Sequence, residues 1–204
     1  MKRLFLEARV KFDVRALLAK LKDRHLRYGL VATVQHLDAI EDAKKILPNS
    51  VVGGQVLGCD VSNAIKIKDK VNCYLFIGSG EFHPSEIFHR TGKKVFVANP
   101  FNNSIYEFAF DHRREARIKG AYLTYLHAKK VGILVSVKEG QERLKDTKKL
   151  KGYVFLFDTL DFSQLENFTG IDVWINTACP RIAYEDYDKF PKAVINIDDL
   201  KKFS

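Results

Sequence analysis

Short runs of β-branched and aromatic residues alternate along this chain with charged stretches whose apolar residues recur at helical spacing. That alternation limits the fold more than any other feature of the sequence. The runs are RLFLEARV (3–10), YGLVATV (28–34), SVVGGQVLG (50–58), CYLFIGS (73–79), KVFVAN (94–99), VGILVSV (131–137), GYVFLFD (152–158), DVWINTA (172–178) and KAVINI (192–197). Most are continuously apolar, the pattern of strands covered on both faces. Between them, residues 13–25, 36–47, 113–130 and 139–150 place apolar side chains three and four apart on charged backgrounds. Strand, helix and strand in succession predict parallel sheets with crossover connections. The longest helical segment, 111–130, falls midway and separates two groups of strands. The expected architecture is therefore α/β, with two similar domains, 1–110 and 111–204, each a small mostly parallel sheet flanked by helices. Residues 111–130 form the connector.

A length of 204 residues with 46% hydrophobic content suffices for one large core or two small ones. No apolar run approaches the roughly 20 residues that span a bilayer, and MKRLFLEARVKFD carries charges through any signal-like core. A protein of the cytoplasm, without a membrane segment, is expected. Three cysteines, an odd number spread widely, make no disulfide framework. Lys and Arg number 34 against 25 Asp and Glu, a formal charge of +9. That balance suits an acidic partner, or simply a well-solvated surface. An aromatic-basic stripe is missing, so direct nucleic-acid binding is not expected.

Two glycine-rich motifs fail on inspection. In GGQVLGCD, Gly53 and Gly58 have the spacing of a phosphate-cradling loop, but Cys59 and Asp60 stand where lysine and a hydroxyl residue belong. GSGEFHP opens like a dinucleotide fingerprint, but His83 takes the place of the third glycine. There is no Cys-x-x-Cys pair for a zinc ribbon or a thioredoxin site.

What remains is a set of polar tips at the carboxyl ends of the expected strands, where ligands collect in parallel α/β sheets. These are residues 33–36, 54–60, 78–84, 136–141 and 177–181. Cys59 and Cys179 occupy two of them, one from each half, in places that read as equivalent. Their thiolates are soft ligands suited to an iron–sulfur cluster, and Pro180 after Cys179 is a common neighbour of such ligands; two buried apolar side chains are the other reading. Cys73 opens a strand and reads as an ordinary core residue. His83 and His36 are each either a ligand contact or a satisfied turn histidine. Gln35 either contacts a ligand or caps the helix that follows. Gln141 follows a glycine and reads as a helix start, where an anionic group would be welcome. Arg181 either clamps a carboxylate or pairs with Glu185 or Asp186.

Taken together, VATVQHL, GGQVLGCD, FIGSGEFHP, ANPF, ILVSVKEGQERL and TACPRIAYEDY occur in an order and approximate spacing that resemble the archaeal diphthamide synthase family, the 2-(3-amino-3-carboxypropyl)histidine synthases. The resemblance covers the chain from about residue 28, and GQVLGCD with TACPR is its specific part. It implies three related α/β domains, each giving one cysteine to a central 4Fe-4S cluster, with S-adenosylmethionine at the open iron. Transfer of an electron to that cofactor gives a 3-amino-3-carboxypropyl radical, which adds to a histidine of translation elongation factor 2. Carried over by position, the resemblance makes Cys59 and Cys179 cluster ligands and Gln141 a cofactor-site residue. Gly54, Gln55, Ser79 and His83 belong to the matching loops. It does not say which residues are catalytic. Family members also carry an N-terminal domain with the first ligand cysteine, whereas this chain begins near the second domain and Cys73 does not fit the missing motif. The resemblance thus implies completion by a chain bearing that domain, as a homo- or hetero-dimer, or else a non-catalytic supporting subunit of the same complex.

Overall fold

The computed structural model describes residue 6 and residues 8–203. The chain divides into two compact units, 1–110 and 111–204. In the first, α1 (Val14–Leu18), β1 (Tyr28–Ala32), α2 (Asp38–Ile46), β2 (Val51–Gln55), α3 (Ser62–Lys66), β3 (Cys73–Ile77), α4 (Phe82–Thr91), β4 (Val95–Asn99) and β5 (Ser104–Glu107) follow in order. In the second come α5 (His112–His127), β6 (Val131–Ser136), β7 (Tyr153–Phe157), α6 (Phe162–Leu165), β8 (Val173–Asn176), α7 (Arg181–Tyr184), β9 (Val194–Asn196) and α8 (Ile197–Leu200).

The sheets run β2-β1-β3-β4-β5 and β7-β6-β8-β9. All neighbours are parallel except β4 and β5. Leaving out β5, both units use one order: the second strand outside the first, then the third, then the fourth. The continuous apolar runs have their expected cause. Every residue of β1 and β3 is buried, and alternate side chains serve two cores. Leu30, Leu75 and Ile77 pack with Leu17 and Leu18 of α1 and Ile40 of α2. Val31, Tyr74 and Phe76 pack on the other face with Ala64 of α3 and Ile87 of α4. In the second unit Ile133, Val135, Val173 and Ile175 meet Ala121 of α5 and Leu200 of α8. Leu134 and Trp174 meet Leu165 of α6 and Ala183 of α7. Each buried Val, Leu, Ile or Phe among them contributes about 1.5–3 kcal/mol by leaving water.

Several expectations are revised. Part of the run expected as a strand at 3–10 lies outside the described residues; its described remainder is irregular, with the Val10 N–H donating to the Gln35 carbonyl at 2.8 Å. The helix expected over 13–25 stops at Leu18. Residues 139–150 form a turn and then a 3-10 segment at Leu144–Lys149. Elements beyond those expected are β5, which returns antiparallel on β4, the short helices α3, α6, α7 and α8, and α4, which carries Pro84 in its first turn, where the missing N–H has no intrahelical partner to lose.

Candidate functional site

The strand order fixes where ligands collect. In both sheets the connections leave the first strand in one direction and return on its other side. The crevice at that reversal lies beyond the carboxyl ends of β1 and β3, and of β6 and β8. Ser79 in its loop and His83 in the first turn of α4 follow β3, and His36 follows β1. In the second unit Gln141 follows β6 and Cys179 follows β8. Cys59 lies one strand away, after the edge strand β2. The two cysteines therefore share the carboxyl edge of their sheets, yet they are not topologically equivalent: one follows the second strand of its unit, the other the third. Sequence spacing placed them on like edges but could not rank the strands.

Cys59 sits on a tight turn. Leu57 and Asp60 exchange backbone hydrogen bonds of 2.9 and 3.1 Å across it, and the Asp60 carboxylate accepts the Ser62 N–H at 2.9 Å. That bond from the Ser62 backbone holds the Asp60 carboxyl below the usual carboxylate range. The turn is reached through a bulge: the β1–β2 register skips between Leu30 and Val31, so that Val31 pairs with Gly54. Gly54 has φ 91°, in the left-handed region that only glycine enters cheaply. Gln55 is the last residue of β2, half-buried, and its carbonyl accepts the Asn63 amide at 2.9 Å. Gly58 is buried because the Phe82 ring, from the first turn of α4, lies where a Cβ would stand. This packing brings the tips after β2 and β3 together. Cys59 itself is exposed.

His83 lies half-buried in the first turn of α4, its ring stacked on Phe76 (centroids 5.6 Å apart, 12° between planes) and edge-on to Phe82. Ser79 is exposed between Gly78 and Gly80. His36 is buried, edge-on to Phe12 and Phe101 at 5.5 and 5.8 Å, and burial lowers its pKa. Gln35 provides no cap to α2, which has no side-chain cap bond. Cys73 opens β3 at the amino edge, 2% exposed, and burial pushes its thiol up to about 12.

In the second unit Cys179 is half-buried. Thr177 anchors the bend to β6: its N–H and hydroxyl both donate to the Leu134 carbonyl, at 3.0 and 2.8 Å. Arg181, the first residue of α7, pairs with Glu185 one turn on, with Nε to Oε1 at 2.8 Å, one of the partners considered for it. Gln141 does not open a helix. It is exposed in a turn after Gly140 (φ 81°), its N–H donating to the Lys138 carbonyl at 3.0 Å. Two residues on, Arg143 donates to both carboxylate oxygens of Asp198 at 2.8 and 3.0 Å, and to Asp146 at 2.8 Å. Asp198 lies at the start of α8, so the loop bearing Gln141 is tied to the end of β9.

Among the described residues no group of three or more His, Cys, Asp or Glu side chains stands ready for a metal ion. Cys59 and Cys179 have the soft donor chemistry that an iron–sulfur cluster takes. No helix among the described residues is long and apolar enough to cross a membrane.

Comparison with known proteins follows the same lines. The family model for diphthamide synthesis proteins matches residues 1–202. The 2-(3-amino-3-carboxypropyl)histidine synthase of Pyrococcus horikoshii is 31% identical over 90% of this chain and 59% of its own length. That of Methanocaldococcus jannaschii is 27% identical over 97% of this chain and 57% of its own. The chain thus spans less than two thirds of these relatives. The crystal structure of Dph2 from Pyrococcus horikoshii with a 4Fe-4S cluster aligns with a TM-score of 0.77 at 26% identity, over 93% of this chain and 61% of the other.

Proposed function

The chain belongs to the diphthamide synthesis family, and on that premise we propose that it is part of a synthase that transfers the 3-amino-3-carboxypropyl group of S-adenosylmethionine to a histidine of translation elongation factor 2. The observation that carries the proposal is the pair of cysteine bends at the carboxyl edges of parallel sheets, in a chain whose solved relative holds a 4Fe-4S cluster. Cys59 and Cys179 each give a thiolate to such a cluster. A chain carrying the family's N-terminal domain gives the third and completes the enzyme, the present units serving as its middle domain (1–110) and C-terminal domain (111–204). When bound, the cluster supplies the electron that breaks the sulfonium carbon–sulfur bond.

The other work falls to residues of this chain. Gln141 and Ser79, both exposed at the crevices, offer amide and hydroxyl groups to the ammonium and carboxylate of the cofactor. Gly54 and Gln55 shape the approach to Cys59, and His83, braced on Phe76, presents a flat ring edge. The charge of +9 speeds encounter with an acidic protein partner by steering. The reaction belongs in the cytoplasm, where the elongation factor works.

Anaerobic reconstitution with iron and sulfide, together with the chain bearing the N-terminal domain, tests this reading. Broad charge-transfer absorption and cleavage of S-adenosylmethionine are expected, both lost in Cys59→Ala and Cys179→Ala. Absence of both in the wild-type complex would refute the proposal. Unchanged diphthamide formation in the two variants would instead assign the chain a supporting role.

A further inference from the structure

Two buried amides control the bend that carries Cys179. Asn176 ends β8 and Asn196 ends β9, directly paired in register, and they are 1% and 4% exposed. Nδ2 of Asn176 donates to Oδ1 of Asn196 at 2.7 Å and to the Cys179 carbonyl at 2.9 Å. Oδ1 of Asn176 accepts the Ala178 N–H at 3.1 Å. Nδ2 of Asn196 donates to the Pro180 carbonyl at 3.1 Å. Two side chains thus grip residues 178, 179 and 180 in succession, and they take hold of the carbonyls of Cys179 and Pro180 themselves. The same carbonyls accept the first N–H groups of the following turn, from Ile182 at 3.1 Å and Ala183 at 3.2 Å. The orientation of α7 and the place of the thiol are therefore set by one network.

Only an amide can fill these positions. Each side chain must donate to a carbonyl and also accept, from an N–H at Asn176 and from the neighbouring amide at Asn196. A carboxylate of the same shape would turn an acceptor toward the carbonyls of Cys179 and Pro180, at positions only 1% and 4% exposed. Ordinary satisfaction of buried backbone needs one partner per group. Here the amides also bond to each other, which fixes their rotamers and so the spacing between the ends of β8 and β9.

We infer that Asn176 and Asn196 are positioning residues for the Cys179 thiol, holding it in a single half-buried placement before any metal arrives; this rests on the reading of Cys179 as a cluster ligand. The test begins with thiol reactivity in the metal-free full chain, using iodoacetamide and mapping each cysteine by mass spectrometry. Asn176→Asp should raise the rate at Cys179 by about five-fold, the factor corresponding to one net hydrogen bond, and leave Cys59 unchanged. Asn196→Asp keeps the acceptor for Asn176 and loses only the donor to Pro180, so it should give a smaller rise in the same place, and it serves if Asn176→Asp does not fold. Asp198→Asn, which weakens the Arg143 pairing at the same strand end, should leave Cys179 as in the wild type. After reconstitution with the completing chain, the Asn176→Asp cluster should show an altered electron paramagnetic resonance spectrum at unchanged iron content. A folded Asn176→Asp or Asn196→Asp protein whose Cys179 rate equals that of the wild type overturns the inference, as does an equal rise at Cys59. Failure of the wild-type complex to take up iron would sink the proposed function while leaving the alkylation comparison to decide the amide clamp.

Discussion

Replacing Gly58 by alanine probes the packing that shapes the Cys59 turn. Gly58 does not have a positive φ among the glycines that do, so alanine meets no backbone penalty, and any effect must come from the added methyl. Cε1 and Cδ1 of the Phe82 ring would overlap that carbon outright, and Cζ, the third-nearest atom, would be 2.7 Å from it, against an ordinary separation of about 3.5–4.0 Å. Ring or turn must yield by well over about 1 Å. Overpacking of this kind costs about 1–3 kcal/mol. Phe82 is only half-buried and can swing toward solvent, which favours the low end. A cost of about 1 kcal/mol in a domain this size lowers the melting midpoint by roughly 3–4 °C. Thermal unfolding followed by circular dichroism reads the effect, and alkylation at Cys59 reports whether the turn has moved. The decisive comparison is Phe82→Ala. If the ring is the obstacle, adding Gly58→Ala on that background should change stability by less than about 0.5 kcal/mol. An equal loss in both backgrounds would refute the steric account.

Other outcomes follow from separate features. In the native metal-free chain, iodoacetamide should modify Cys59 first and Cys179 more slowly, with Cys73 protected until unfolding, since its thiol is buried and pushed up to about 12; early labelling of Cys73 would contradict the assigned core. The N–H groups of Lys130 and Lys129 hold the Asp172 carboxyl below the usual range. A depressed folded pKa stabilises above the ordinary carboxylate value and is lost as pH falls through the folded one. Asp172→Ala should therefore melt below the wild type at neutral pH, with the gap closing below about pH 4; a gap that persists in acid would exclude the electrostatic origin. Gly132→Ala would press a methyl into the ring of Trp174, the single tryptophan and fully buried. It should cost about 1–3 kcal/mol, read by tryptophan fluorescence during denaturation, and a wild-type midpoint would show that the ring has room to move.

Much of the fold was legible because parallel strands buried on both faces must be apolar throughout, as YGLVA and CYLFI are. The unexpected elements share a cause: their local signals are weak and their support is tertiary. β5 is four residues long with no buried position, and exists through pairing with β4. α4 was hidden by Pro84, which reads as a loop signal until its first-turn position is known. At the candidate site, strand ends could be located, so Cys59, Cys179, Ser79, His83 and Gln141 were all placed beyond the carboxyl edge. The helix start proposed for Gln141 failed because Gly140 and the residues after it form a turn stabilised by Arg143 and Asp198, which lie 55 positions apart. The amide pair left one unread trace, the recurrence of Ile-Asn at the ends of two neighbouring runs, WIN and VIN. Asparagine is common in loops, and only the β8–β9 register reveals that these two face each other.

Superposing one unit on the other by its topology would lay Cys59 over the loop after β7 and Cys179 over the Gly78–Gly80 turn. The two thiols therefore meet solvent unequally, one open on a rim strand and the other sheltered at a central one. A dissolved oxidant should reach Cys59 of the metal-free chain first.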